Sequence, residues 1–314
     1  MIRYVAARLA GAVLTLFGVT ALAFFATALA PGNPASILLG SMATEERLAA
    51  ITRQMGLDQP IPVRYLYWIE HVLRGDLGDS TLSRRPVELL IGQALPVTLE
   101  LTMLSLFFAV IVGVPLGLFL ALKRDSAWTR PAMSVITLGI SVPGVWVGQL
   151  LILLFAVSLR WLPSGGFVPI ARDPVRNLEH MVLPVLTLSI YLMPAIVRFV
   201  RVTAQSVLAE DYIDTARSKG VGDARLLIRH VAPNTMINTI TFIGLQLGVL
   251  LSGAIVTEVI FALPGLGRLG MNAVLNRDYP VIQGVVLVVA SGYVLVNLAV
   301  DLAYGLIDPR VRTR

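Results

Sequence analysis

Residues able to do chemistry are few and far apart in this chain. It has three histidines, His71, His180 and His230, and no cysteine in 314 residues. Disulfides, thiolate metal sites and cysteine nucleophiles are therefore excluded. No H-E-x-x-H sets two histidines and a carboxylate on one helix face, and no G-x-x-x-x-G-K-[ST] provides a phosphate cradle beside a lysine. The only lysines are Lys123 and Lys219. A hydrolase acting in the membrane would need a nucleophile with a base, or paired carboxylates at one depth. The histidines lie outside the apolar runs or at their edges.

Three carboxyl groups stand in or beside apolar runs: Glu100, Glu258 and Asp301. Ionisable groups at membrane depth usually line a watery path or pair with a neighbour. Glu100 and Glu258 fall near run ends, where interfacial hydration is expected, and Asp301 can snorkel or pair with an arginine. Glu258, beside "FALPGLG", and Pro264 are the candidates for a gate or pore lining. The centres of the runs carry no charges of the kind that bind coupling ions, which argues against a secondary carrier, the alternative from a different class.

The elements that must position these groups are membrane spans. The chain is 56% hydrophobic and 14% charged, a balance that indicates an all-α polytopic membrane protein. Uncharged runs occupy Leu9 to Ala30, Leu101 to Leu122, Pro131 to Leu159, Met181 to Val197, His230 to Thr257 and Tyr279 to Val300. About 20 apolar residues cross the hydrocarbon core, so six transmembrane helices are expected. The first run is longer than a signal-peptide core and no small-residue cleavage site follows it, so it is expected to be retained. Pro115, Pro143, Pro184 and Pro194 interrupt the runs, and each removes a backbone donor. The whole reads as one transmembrane domain over 1–314, with a helical segment at 31–96 and a polar segment at 201–233.

Six crossings put both termini on one side. With the N-terminus inside, the inner loops and ends carry Arg3, Arg8, Lys123, Arg124, Arg130, Arg198, Arg201, Arg217, Lys219, Arg225, Arg229, Arg310, Arg312 and Arg314. The short outer loops carry only Arg160, Arg172, Arg176, Arg268 and Arg277. The positive-inside rule then predicts cytoplasmic termini, with 31–96 outside. The net charge of +6 follows from this placement, and no basic stripe marks a nucleic-acid surface.

In the outer segment, Thr44 can cap a helix that opens with Glu45 and Glu46 and closes at Gly56. A second helix over about Pro62 to Arg74 places Tyr65, Trp68, Ile69 and Val72 on one face, which either rests on the membrane or other spans or docks an external partner. "GDLGDS" at 75–80 reads as a turn; it has too few alternating oxygens for a calcium loop.

The polar stretch "DYIDTARSKGVGDARLLIRHVAPN", 211–234, reads as two short helices meeting at Gly220, with acidic residues opening the first and Arg217 and Lys219 ending it. Tyr212, Ile213 and Ala216 are expected to present one gripping face, and Pro233 to limit the next span. Spacing alone favours a loop that merely solvates the turn.

"DTARSKG", followed after nine residues by "HVAP", resembles the E-A-A-x-x-x-G-x9-I-x-L-P motif of ABC importer membrane subunits. Asp214 stands on its Glu, Thr215 and Ala216 on its two Ala, Gly220 on its Gly and Pro233 on its Pro, while His230 and Ala232 replace its Ile and Leu. Elsewhere "PGNPA", "LDQPIPVRYLYWIEHVLRGDLGDS", "LPVTLEL", "EVIFALPGLGRLGMNAVLNRDYPVIQG" and "DLAYGLIDPRVR" follow in the order seen in the dipeptide, oligopeptide and nickel permease family. The resemblance covers nearly the whole chain.

It implies a type I importer transmembrane domain of the MetI-like kind, in a bacterial inner membrane. It also implies the partners: a second, homologous permease subunit, two ATPase subunits that bind ATP and Mg, and an extracytoplasmic peptide-binding protein. The chain itself would hold no cofactor and catalyse nothing. Tyr212, Asp214, Thr215, Ala216, Lys219, Gly220 and Pro233 would then couple it to the ATPase. Within the family, peptide is the expected cargo, with nickel as the alternative.

Overall fold

In hydrocarbon a backbone N–H or C=O has no water to bond, so a chain crossing a bilayer closes its hydrogen bonds within helices. The computed structural model describes residues 2–29, 44–54, 56, 58–123 and 126–307. Among them the helices are α1 (Ile2–Leu29), α2 (Glu45–Gln54), α3 (Ile61–Leu73), α4 (Val87–Leu122), α5 (Thr129–Ser141) and α6 (Gly144–Leu151). They continue with α7 (Pro174–Leu208), α8 (Asp211–Ser218), α9 (Asp223–Leu226), α10 (Ala232–Ile260), α11 (Leu266–Leu275) and α12 (Tyr279–Ile307). Two π-helical stretches, Ile152–Ser158 and Leu227–Val231, extend α6 and α9. No strand occurs among the described residues.

Five helical stretches are long and apolar enough to cross a membrane: Arg8–Leu29, Val87–Leu122, Pro174–Leu208, Asp223–Leu251 and Tyr279–Asp301. The run expected as one crossing over 131–159 is instead two helices, Thr129–Gly139 and Gly144–Ser158, bent by 96°. Pro143 accounts for the break, because a proline ring keeps its predecessor out of the helical region, and Val142 is extended at φ −85°, ψ 124°. Counting the bent pair as one broken span gives six. Pro115, Pro184 and Pro194 lie inside α4 and α7 without ending them.

α4 and α7 outrun the apolar runs that announced them. α4 starts at Val87, within the expected outer segment, because Val87, Ile91 and Ala94 recur at helical spacing and are all buried. α7 starts at Pro174, where Asp173 Oδ1 accepts from the backbone N–H groups of Val175 and Arg176, each at 3.1 Å, and runs to Leu208, into the expected polar segment.

Two compact units are described, one of Ile2–Thr98 with Pro264–Leu295, the other of Leu99–Leu263 with the chain from Val296. In the first, α3 lays its apolar face on α1. Tyr65 is buried with its ring edge-on to Phe17 and Phe24, and its hydroxyl lies 2.9 Å from Thr20 Oγ1. Of the face expected at Tyr65, Trp68, Ile69 and Val72, Tyr65 and Trp68 thus find partners on α1. Thr44 Oγ1 accepts from Arg47 N at 3.4 Å, and Gly56 takes φ +61°, as the cap and stop signals foretold. A second core joins Val87, Ile91 and Ala94 of α4 to Leu266 and Ala273 of α11 and Val281 and Val285 of α12. Leu266 N donates to Thr98 Oγ1 at 2.8 Å, tying α11 to α4.

"GDLGDS" is a turn: Gly75 and Gly78 have φ +85° and +81°, and Gly78 N donates to Asp76 Oδ1 at 2.8 Å. Asp278 fixes it from below. Its buried carboxylate accepts from Ser80 Oγ at 2.6 Å, from Thr81 N at 3.0 Å and from Thr81 Oγ1 at 3.1 Å. No sequence signal pairs positions 198 residues apart.

In the other unit α7 is central, packing most extensively on α10 and also on α5 and α6. Leu183, Leu188, Leu192, Ile196, Val197 and Val200 are its buried stripe, and Phe199 stacks on Phe242 of α10 at 4.2 Å between ring centroids. Small residues let α4 approach it: a Cβ on Gly117 would lie 2.8 Å from Val197 O and 2.9 Å from Val200 Cβ. Ser189 Oγ donates to Ser105 O at 2.9 Å across the same pair.

Two predictions follow from this packing. Asp278→Ala strands a buried hydroxyl and a backbone N–H, lowering stability by about 3 kcal/mol, read as a drop in thermal midpoint in detergent. Gly117→Ala pushes a methyl into backbone and costs about 1–3 kcal/mol; an unchanged midpoint would show that α4 and α7 do not meet as described.

Candidate functional site: a polar turn and a buried carboxyl

α8 is eight residues long and opens with Asp211 and Asp214 and closes with Arg217, so its end charges match the helix dipole. It stops in a Schellman turn. Gly220 has φ +79°, Gly220 N donates to Arg217 O at 2.9 Å, and Val221 N donates to Ala216 O at 3.2 Å. Glycine is needed for the conformation and not for space, since an added Cβ at Gly220 would meet nothing within 4 Å.

The helix divides into two faces, and the division differs from the expected one. Ile213 and Ala216 are buried and seat α8 on its own chain, because they are the apolar pair three residues apart. They therefore do not offer the gripping surface expected of them. Tyr212, Asp214, Thr215, Arg217, Lys219 and Gly220 are exposed. Tyr212 is nonetheless anchored: its hydroxyl accepts from Asn234 Nδ2 at 3.2 Å, and the same amide donates to His230 O at 2.7 Å. The Asp214–Arg217 pair, at 3.9 Å and exposed on both sides, adds little stability.

Pro233, expected to separate a short helix from the next span, separates nothing. α9, the π turn and α10 run on from Asp223, with Pro233 in the first turn of α10. The wide turn is the reason: Ala232 N bonds to Leu227 O, five residues back, so the ladder shifts register just where proline lacks a donor. α8 is thus linked through Tyr212 and Asn234 to the continuous helix that begins at Asp223, an arrangement that can pass on a push. It holds no nucleophile and base pair.

Glu258, expected to be hydrated at an interface, has 0% exposure. α10 ends just after it in a second Schellman turn, with Ala262 at φ +53° and Leu263 N donating to Glu258 O at 2.9 Å. Phe261 and Leu263, which flank this turn, are both fully buried. Residues that the sequence did not single out complete the site. Gly166 N donates to Phe261 O at 2.8 Å, and a Cβ on Gly165 would lie 2.4 Å from that oxygen. The signal was there in the glycine pair of "PSGGF", but spacing cannot say what a glycine must avoid. Glu100 is half-buried, and its Oε1 has no partner among the described residues. Asp301 is half-buried in α12. Pro264 is exposed, two residues ahead of α11.

Residues 113–313 match the family of the binding-protein-dependent transport system inner membrane component, and residues 1–102 match the N-terminal region of such membrane components. A protein of Sinorhizobium fredii, described as a probable peptide ABC transporter permease protein, is 38% identical over 98% of this chain and 99% of its own. A glutathione transport system permease protein of Salmonella choleraesuis is 41% identical over 99% of both chains. The fold is that of a methionine ABC transporter solved in inward-facing conformations, with a TM-score of 0.59 and 18% identity over 70% of this chain and 96% of that one. Motifs, spans and full-length relatives converge: the chain belongs to the inner-membrane components of binding-protein-dependent transport systems, as a multi-pass ABC transporter permease.

Proposed function

We propose that the chain forms one half of the pore of an ATP-driven importer of di- and oligopeptides. The observation that carries the cargo is the pair of relatives spanning nearly the full chain, one a peptide permease and the other a permease for glutathione, itself a tripeptide. In this reading a second permease completes the pore, two ATPase subunits bind ATP and Mg and do the hydrolysis, and an extracytoplasmic binding protein delivers peptide. The excess of basic residues in one set of loops supports cytoplasmic termini.

α8 is the coupling helix in this proposal. Its exposed face, with Tyr212, Asp214, Thr215 and Lys219, meets the ATPase, while Ile213 and Ala216 anchor it to the permease. Closure of the ATPase pair on ATP displaces α8, and the Tyr212–Asn234 link carries the displacement to the helix that begins at Asp223 and contains Pro233. Such a rigid-body switch opens the pore alternately to the two sides. Glu258 and Pro264 are the proposed gate residues.

Uptake of a labelled dipeptide, a longer peptide and nickel, compared in cells lacking the chain and cells regaining it, tests the reading. Peptide uptake should return with the wild-type chain and vanish with Gly220→Arg, which inserts normally but strains the left-handed stop by about 1–2 kcal/mol. Gly220→Asn, which tolerates that conformation, should keep most of the activity. Nickel uptake alone would move the cargo to the metal, and normal ATP-driven uptake by Gly220→Arg would remove α8 from the coupling path.

A further inference from the structure

The 96° corner between α5 and α6 stands at the middle of the membrane. On one side of it, a Cβ on Gly139 would lie 3.3 Å from Pro194 Cγ and 3.7 Å from Ile190 O of α7. On the other, a Cβ on Gly148 would lie 3.4 Å from Thr187 Cγ2 of the same helix. The corner is therefore level with the stretch of α7 between Thr187 and Pro194. Glu179 and Arg198 bound the uncharged run of α7, and Thr187 lies eight residues from the first and Ile190 eight from the second. At 1.5 Å per residue each is about 12 Å along the axis from a charge, so the corner is placed at mid-span.

Polar groups at this depth need partners. A helix end leaves its last four carbonyls outside the ladder, which for α5 are those of residues 138–141. Pro143 has no N–H to offer them, and the extended Val142 makes no capping bond among the described residues. Ser141, Val142 and Pro143 are all exposed on this chain. The side chains divide in the same way. Ser134 Oγ donates to Arg130 O at 3.2 Å, Thr137 Oγ1 to Met133 O at 2.7 Å and Ser158 Oγ to Leu153 O at 2.9 Å, each within its own helix. Ser141 and Gln149 are exposed, and their side chains have no hydrogen bond among the described residues. Lipid tails can bond none of these groups, and irregular backbone at membrane depth is tolerated where it lines water or is buried in protein.

We infer that the corner at Ser141–Gly144, with Gln149, lines the water-filled path of the cargo at mid-membrane. The freed carbonyls accept hydrogen bonds from the amide and ammonium N–H groups of a passing peptide, and the Gln149 amide both donates to and accepts from its backbone. This rests on the reading of the chain as half of a peptide pore and names residues that the cargo meets. Val145, Trp146 and Leu150 are exposed beside Gln149 on α6. Such a wall bonds the backbone that all peptides share and offers their side chains only apolar contact.

The chain has no cysteine, so an introduced thiol is its sole label. Val142→Cys and Gln149→Cys are made in the full transporter in membrane vesicles and treated with a membrane-impermeant trimethylammonium methanethiosulfonate, with modification of this chain read by mass spectrometry. Leu14→Cys, on the little-buried span of α1, is the reference for a thiol in lipid. Because the thiolate reacts and forms in water, both cysteines should be modified at least about ten-fold faster than the reference, and modification should stop uptake of the labelled dipeptide. Gln149→Leu should lower peptide uptake about ten-fold at equal amounts of assembled transporter, as loss of one hydrogen bond in the passing state requires, and Gln149→Asn should restore most of it. If Gln149→Cys does not assemble, Val142→Cys, close to the native side chain in size, decides. Rates no faster than the reference would overturn the inference and put the corner against lipid or the second permease. Fast labelling with uptake unchanged by it and by Gln149→Leu would overturn the contact with cargo. Nickel as the sole restored cargo would overturn the peptide reading and the amide contact with it, while fast labelling would in that case still uphold a water-lined corner.

Discussion

The constraint on which everything else depends is that the hydrocarbon core offers no partner to a free backbone N–H or C=O. Helices are its direct consequence, and so is the way this chain handles the places where a helix falters. Pro184 and Pro194 are absorbed within α7, which is surrounded by α5, α6 and α10. Pro143 has no such enclosure and becomes a 96° corner. Pro233 is met by a π turn that moves the ladder by one residue. One residue type thus gives three outcomes, decided by what lies around it.

Helix ends obey the same accounting. α3, α8, α10 and α11 each finish with the paired bonds of a Schellman turn, at Gly75, Gly220, Ala262 and Arg277 respectively. Two of the four use residues other than glycine in the left-handed region, which costs about 1–2 kcal/mol each. Both stand beside groups that this turn positions. Ala262 follows the enclosed Glu258 and Phe261, and Arg277 precedes Asp278, the carboxylate that holds the "GDLGDS" turn. At Gly220 the same turn ends an exposed lever, where glycine removes the strain.

α8 shows how a short polar helix becomes usable. Eight residues are too few to be stable alone, so its helicity depends on the burial of Ile213 and Ala216 and on the closing turn at Gly220. The cost is that its apolar residues are unavailable to a partner. What is left to present is charge, hydroxyl and one tyrosine ring tethered by Asn234.

Much of this was legible in the sequence, for reasons that are local. The apolar runs marked the spans because each approaches or exceeds the roughly 20 residues that cross the hydrocarbon core, the Thr44 cap and the stops at Gly56 and Gly220 are written in single residue types, and the period of Tyr65, Trp68, Ile69 and Val72 announced a face. The polar stretch at 211–234, with the motifs around it, was enough to point to an importer subunit. Tertiary structure alone decided the rest. It turned Ile213 and Ala216 inward, closed water off from Glu258, and placed Asp278 under Ser80 and Thr81. The physical reason is common to all of these: periodicity and caps depend on neighbours a few residues away, whereas burial and long-range hydrogen bonds depend on which distant helix arrives, and that is settled only when the whole chain packs.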